Sequence, residues 1–306
     1  MKKEEDIPYR FESLSQLHRM LELPKPKHPL ISLIENLDNR FDLSKLPKSF
    51  IHNFYKISYK TNLKGKIKYG QSFYDFDEGG MLFTQPNQLG GTNGDHNSDY
   101  SGYTLFIHPD FLLKYPLSKN IKQYGFFSYD VSEALHLSDS EKDIIFSVFE
   151  IMQKELNERI DDYSQDVVVS QIELLLNYSN RFYKRQFITR KAINNDLIQK
   201  LEAILDGYFN SDTSLMQGIP TVQVLSENLH LSPNYLSDLL RSLTGQNTQQ
   251  HIHNKLIEKA KEKLSTTNLT VSEIAYELGF EHSQSFSKLF KSKTNVSPLE
   301  FRASFS

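Results

Sequence analysis

Near the C-terminus, the run Ser283-Gln284-Ser285-Phe286-Ser287-Lys288-Leu289-Phe290-Lys291 sets serine, glutamine and lysine on one side of a helical repeat and phenylalanine and leucine on the other. From Ser283 to Lys293 there are three lysines, Lys288, Lys291 and Lys293, and no acid. Polar and cationic side chains on one helix face can hydrogen-bond to base edges and neutralise phosphates. The preceding run, Val271 to Phe280, reads as a short helix closed at Gly279, where a turn can demand positive φ. Helix, glycine turn and basic second helix together have the layout of a DNA-reading helix-turn-helix.

A second copy lies about 50 residues earlier. Thr221-Val222 matches Thr270-Val271, Leu225 matches Ile274, Leu229 matches Leu278 and Leu231 matches Phe280. After a one-residue insertion, Leu236 matches Phe286, Ser237 matches Ser287, Leu239 matches Leu289, Leu240 matches Phe290 and Arg241 matches Lys291. The shared apolar positions are those that fix the crossing angle of the two helices. Ser232 is placed to cap a helix opened by Pro233. His230 stands at the turn and is expected to be a turn residue rather than a ligand. Between the units, Thr248 to Leu264 predicts a helical rod roughly 26 Å long, able to hold two reading helices apart over successive major-groove turns about 34 Å apart.

The positive charge of the second helix is local. The 306 residues carry a net charge of −3, and residues 196–306 hold 10 Lys/Arg against 12 Asp/Glu, a net of −2. Asp238 and Arg241 cancel on the first helix, so modest, salt-dependent affinity is expected. The chain has 21 Phe and 16 Tyr, enough for a core in each of two domains. It has no cysteine, which removes disulfides, thiolate metal sites and cysteine nucleophiles. The charged start Met1-Lys2-Lys3-Glu4-Glu5-Asp6 precedes no apolar region, and no apolar run approaches a membrane span. A cytoplasmic protein is expected, and the glycosylation patterns at Asn177, Asn268 and Asn295 are read as chance.

Residues 1–135 alternate short apolar segments with Gly, Asn, Asp and Pro. Strands are expected over Phe54–Tyr59, Lys66–Phe73, Met81–Thr84 and Tyr103–His108, with a turn over Asp75–Gly80 and a polar loop from Asn87 to Gly102. Ser138 and Glu141 form a capping-box pattern ahead of Ile144, Ile145, Val148, Phe149, Met152 and Leu156 at helical spacing. Asp161-Asp162 interrupts the pattern, and a second helix runs from about Asp166 to Phe182. The resulting hairpin, residues 136–187, has apolar faces to spare for the β-domain or for a second subunit, and is expected to dimerise. Arg181, Lys184, Arg185, Arg190 and Lys191 mark its end and a linker over 188–197, followed by an all-helical domain over 198–306. His251 and His253 fall on different faces of the rod, so no metal site is expected there.

These residues resemble the AraC/XylS family of bacterial transcription regulators. The resemblance covers about residues 197–306 and rests on Gly279-Phe280, on Phe286…Phe290-Lys291 and on Ser297-Pro298…Phe301-Arg302. It implies a seven-helix domain with two helix-turn-helix units. By position it implies DNA contacts from Asn234, Ser237, Asp238 and Arg241 in the first unit, and from Ser283, Gln284, Ser285, Ser287, Lys288 and Lys291 in the second. Gln suits adenine and Lys suits guanine. Asp238 departs from the basic residue common at its position, which puts the first unit's contribution in question. The run Tyr74–Gln88 looks like part of the cupin-like barrel that many family members carry as a sensor. In such a barrel Phe54, Tyr59, Tyr69, Phe73, Tyr74 and Phe83 could line an effector site or be plain core. His28, His52, His96, His108 and His136 are scattered and form no metal-binding pair.

The resemblance thus implies a sequence-specific DNA-binding regulator, dimeric, answering a small molecule by population shift, with duplex DNA and RNA polymerase as expected partners and no cofactor. The alternative is a constitutive regulator whose N-terminal domain only dimerises. No enzyme is expected, since DNA-repair methyl acceptors with such a domain need cysteine and cupin enzymes need metal ligands.

Overall fold

The computed structural model describes residues 8–36, 45–47, 49–64, 67–69, 72–74, 79–91, 99–158, 163–189 and 191–305. The chain divides into two compact units, Met1–Gln186 and Phe187–Ser306.

In chain order the first unit holds β1 (Tyr9–Phe11), α1 (Leu14–Met20), β2 (Ile31–Asn36), β3 (Ser49–His52), β4 (Tyr55–Lys64), β5 (Ile67–Tyr69), β6 (Ser72–Tyr74), β7 (Gly80–Thr84), β8 (Leu89–Gly91) and β9 (Asp99–Ile107). After these come α2 (Leu117–Asn120), β10 (Leu135–His136), α3 (Asp139–Asn157) and α4 (Ser164–Thr189), the last containing the division between the units. Among the described residues the strands form an antiparallel sheet in the order β10-β7-β4-β9-β2, a sheet β1-β3-β8 and the hairpin β5-β6. Among the described residues each sheet has two end strands, and none closes into the expected barrel. Closure depends on register between distant strands, which alternation along one strand does not encode. The single strand expected over Lys66–Phe73 is instead a hairpin in which Ile67 pairs with Tyr74 and Tyr69 with Ser72. Between Pro109 and Glu133 the chain makes short 3-10 turns and α2 rather than strands. The expected turn at Asp75–Glu78, most of the polar loop, Asp161-Asp162 and Arg190 lie outside the described residues.

The strand period of two gives the large sheet two different faces. On one, Tyr59 and Tyr103 flank Phe149 of α3, with ring centroids 6.3 and 5.2 Å away. On the other, the Ser58 and Thr104 hydroxyls meet at 3.4 Å, and Phe54 and Phe106 join Phe11, Leu14 and Leu17 in a second core. The capping box of α3 forms: the Ser138 amide donates to Glu141 Oε2 at 2.9 Å. Arg185 of α4 then donates to both Glu141 oxygens, at 3.0 and 2.6 Å, and to the His136 carbonyl at 2.7 Å. Tyr183 stacks on Phe126 at 5.5 Å. The inner faces of the helical hairpin are therefore used within the first unit.

The second unit continues with α5 (Lys191–Asn210), α6 (Thr213–Gln217), α7 (Val222–Leu229), α8 (Pro233–Thr244), α9 (Thr248–Thr266), α10 (Val271–Glu277), α11 (Ser283–Thr294) and α12 (Pro298–Ala303). Residues 191–197, expected as linker, belong to α5. The core gathers Leu201, Leu205 and Phe209 from α5, Ile252, Leu256 and Ala260 from the α9 rod, and the matched pairs Leu225 and Ile274, Leu236 and Phe286, and Leu240 and Phe290 of the two helix-turn-helix units.

Candidate nucleic-acid interface

The two copies share one backbone plan. Thr221 and Thr270 cap α7 and α10, accepting from the amides of Val224 and Glu273, each at 3.2 Å. Helices α8 and α11 each have 12 residues. Both end on a left-handed residue, Gly245 at φ 77° and Asn295 at φ 65°, whose amides donate to the carbonyls of Arg241 and Lys291 at 3.0 and 2.9 Å. Asn247 and Ser297 then build capping boxes with Gln250 and Glu300 for α9 and α12. The paired core residues Leu225 and Ile274, Leu236 and Phe286, and Leu240 and Phe290 are all fully buried. Such burial holds the opposite face of each second helix toward solvent.

The turns differ by one residue and by their solution to positive φ. In the first unit His230 itself is left-handed, at φ 56°, and its amide donates to the Glu227 carbonyl at 3.1 Å. In the second Gly279 takes φ 89°. A Cβ on Gly279 would fall 2.5 Å from the Gly218 carbonyl carbon, so glycine is required there by space as well as conformation. Ser232 caps α8, accepting from the Tyr235 amide at 3.3 Å, with Pro233 at the first helical position.

On α11, Gln284, Ser285, Lys288 and Lys291 are exposed and recur at helical spacing, while Ser283 and Ser287 are half-buried. Ser292 is exposed on the same face and joins this row; its spacing of one helical turn beyond Lys288 is the sequence signal that places it there. Lys293 sits near His253 of α9, whose imidazole pKa is lowered by burial and further by this lysine's charge. On α8, Asn234 and Arg241 are exposed and Asp238 is half-buried. Arg241 donates to Asp238 at 2.9 Å, so the two charges cancel as expected. The Ser237 hydroxyl is turned to the fully buried Thr248 of α9, 3.0 Å away, and is engaged inside the domain.

Three of the aromatic residues considered for an effector or for plain core are described with their side chains. Phe54 packs edge-on to Phe106 at 6.1 Å, Tyr59 against Phe149, and Phe83 against Phe126 at 4.4 Å, and all three are buried core. The side chains of Tyr69, Phe73 and Tyr74 lie outside the described residues. Among the described residues no three acidic or histidine side chains are grouped to hold a metal. His251 and His253 turn to different partners, Thr244 and Gln249, each at 2.9 Å. No helix of the described residues is long and apolar enough to cross a membrane.

Residues 225–304 match a protein family described as a helix-turn-helix domain. The chain is similar to an uncharacterized HTH-type transcriptional regulator, YfiF, of Bacillus subtilis (strain 168), with 24% identity over 255 residues, 82% of this chain and 77% of that one. It is 29% identical over 148 residues to the HTH-type transcriptional activator RhaS of Salmonella paratyphi B, covering 48% of this chain and 51% of that one, so it spans about half of that relative's length. Among solved structures, the C-terminal domain of the two-component response regulator yesN from Fusobacterium nucleatum is 32% identical, with a TM-score of 0.31, covering 35% of this chain and 98% of that one.

Proposed function

From the premise that the C-terminal unit is an AraC-type helix-turn-helix domain, we propose that this chain is a sequence-specific DNA-binding transcription regulator in which α11 is the principal reading helix. The observation that carries this reading is the exposed row Gln284, Ser285, Lys288 and Lys291 on a helix locked by the buried rings of Phe286 and Phe290. Gln284 and Lys288 face bases, and Lys291 faces phosphate. Helix α8 supplies register through Asn234, and α9, roughly 28 Å long from its 19 residues, separates the two heads. Bound DNA fragments recovered by genomic footprinting supply the cognate site. Against that site Gln284→Ala and Lys288→Ala each weaken binding by about 1–3 kcal/mol and lose less on random DNA. Equal loss on both DNAs overturns the assignment of these residues to bases.

The regulator acts as a dimer through the outer face of the α3–α4 hairpin, and a small molecule bound by the first unit shifts how the paired domains meet tandem sites. The outer face of the hairpin supports this reading, with Ile151, Val167 and Leu174 between 38% and 49% exposed. Leu174 replaced by Arg in the full chain yields a monomer by sedimentation that retains its circular dichroism. An unchanged sedimentation coefficient rejects this surface as the dimer contact.

A further inference from the structure

The first unit contains a cavity of about 640 Å³, framed by β2, the segment Leu23–His28, the end of α3, the start of α4 and Phe111. That volume is within the range of about 300–1,000 Å³ typical of small-molecule sites. One wall is apolar, formed by Ile31 and Leu33 of β2, Leu156 of α3 and Val168 of α4. Most polar groups around it are already matched. His18 Nδ1 lies 2.6 Å from the Pro24 carbonyl, which only accepts, so that nitrogen carries the proton. Burial lowers the His18 pKa, the ring is neutral, and its Nε2 accepts the Ser32 hydroxyl at 2.8 Å. Gln165 donates to the Phe111 carbonyl at 2.8 Å, and Lys27 to Asn157 Oδ1 at 2.7 Å across the mouth.

Gln153 is different. Its side chain lines the cavity, and its Oε1, closed off from solvent, has no hydrogen-bond partner. A buried acceptor left unmatched carries a desolvation cost, which a donor brought to it removes. Gln153 lies one helical turn beyond Phe149, whose ring stacks on Tyr103, and the Tyr103 hydroxyl donates to Glu35 Oε1 at 3.0 Å. Glu35 also lines the cavity, on the same face of β2 as Ile31 and Leu33. An apolar wall therefore ends at two residues, Gln153 and Glu35, whose side-chain oxygens are acceptors.

We propose that this cavity binds a small molecule with an apolar body and a hydrogen-bond-donor head, an aliphatic amine or alcohol, that donates to Gln153 Oε1 and Glu35. The site deepens the effector reading above and depends on it only for regulatory meaning.

The test uses the full chain with three probes of equal length, n-hexylamine, hexan-1-ol and hexanoate, followed by saturation-transfer NMR and thermal melting. Hexylamine, hexanol or both bind at millimolar concentration and raise the melting temperature, while hexanoate, which brings only acceptors and a like charge to Glu35, does not. A preference for the amine assigns the dominant contact to Glu35, and equal binding of amine and alcohol assigns it to Gln153. Gln153→Leu, which removes the acceptor at similar volume, and Leu156→Trp, which fills the wall, each weaken binding at least tenfold. If Leu156→Trp does not fold, Gln153→Leu decides alone. The site is rejected if neither donor-headed probe binds, if hexanoate binds as well as they do, or if Gln153→Leu binds like the wild type. Binding that leaves DNA affinity unchanged keeps the site and removes only its role as the effector site.

Discussion

Helices α8 and α11 solve the same geometric problem with opposite materials. Behind α8 the core is aliphatic, with Leu225, Leu236 and Leu240. Behind α11 it is a chain of rings running from Phe280 through Phe286 and Phe290 to Phe301, with centroids 5.4, 5.8 and 5.5 Å apart. In front, α11 offers two exposed lysines on its reading row, whereas the one arginine on α8 is held by Asp238. A shared backbone plan thus fixes where a helix points, and the few side chains outside that plan decide what it does. The pair divides into a helix with exposed lysines and a helix whose opposite charges are paired.

The comparison breaks first in the core. Phe286→Ala costs about 3–5 kcal/mol and Leu236→Ala about 2–5 kcal/mol of domain stability by urea titration. A Phe286→Ala loss below that of Leu236→Ala shows that the ring chain holds α11 no more firmly than the aliphatic core holds α8. Next comes the turn. Gly279→Ala places a Cβ against backbone at 2.5 and 2.7 Å and forces an alanine to φ 89°, for a loss of about 2–3 kcal/mol. The surface charges follow in size. Lys291→Ala flattens the slope of log affinity against log salt by about 0.9, and Asp238→Ala steepens it by a similar amount because Arg241 is released toward phosphate. Two changes of the same sign in that measurement defeat the division between exposed and paired charge. The smallest effect is at the other turn, where His230→Gly relieves a left-handed non-glycine residue and stabilises the domain by about 0.5–1 kcal/mol in thermal melts.

Much of the second unit is legible in the sequence because its information is local. Caps at Ser232 and Thr270, the positive φ of Gly279 and the period of Phe286, Leu289 and Phe290 are each written within a few residues. The repeat adds a second reading of the same plan. What escapes depends on partners far away in sequence. Ser237 sits at a reading position by spacing, yet its hydroxyl is taken by Thr248 on the next helix. Alternation along a strand leaves Phe54, Tyr59 and Phe83 open as core or as pocket lining, and only the fold brings Phe106, Phe149 and Phe126 against them. The cavity is assembled from β2, α3 and α4, strand and helices more than a hundred residues apart, and no single stretch announces it. An open sheet and a barrel likewise have the same alternation along each strand.

Gly218 and Gly279 touch backbone to backbone, and the surrounding groups close the joint: the Tyr208 hydroxyl donates to the Gly218 carbonyl at 3.0 Å and the Ser214 hydroxyl to the Glu277 carbonyl at 2.6 Å. Here the loop entering the first head bears on the turn of the second without any side chain between them. This joint acts as a gauge block, fixing at one point the offset that the α9 rod sets along its length. Exposed residues of α8 and α11 can then be exchanged one after another while the spacing between the two helices stays constant.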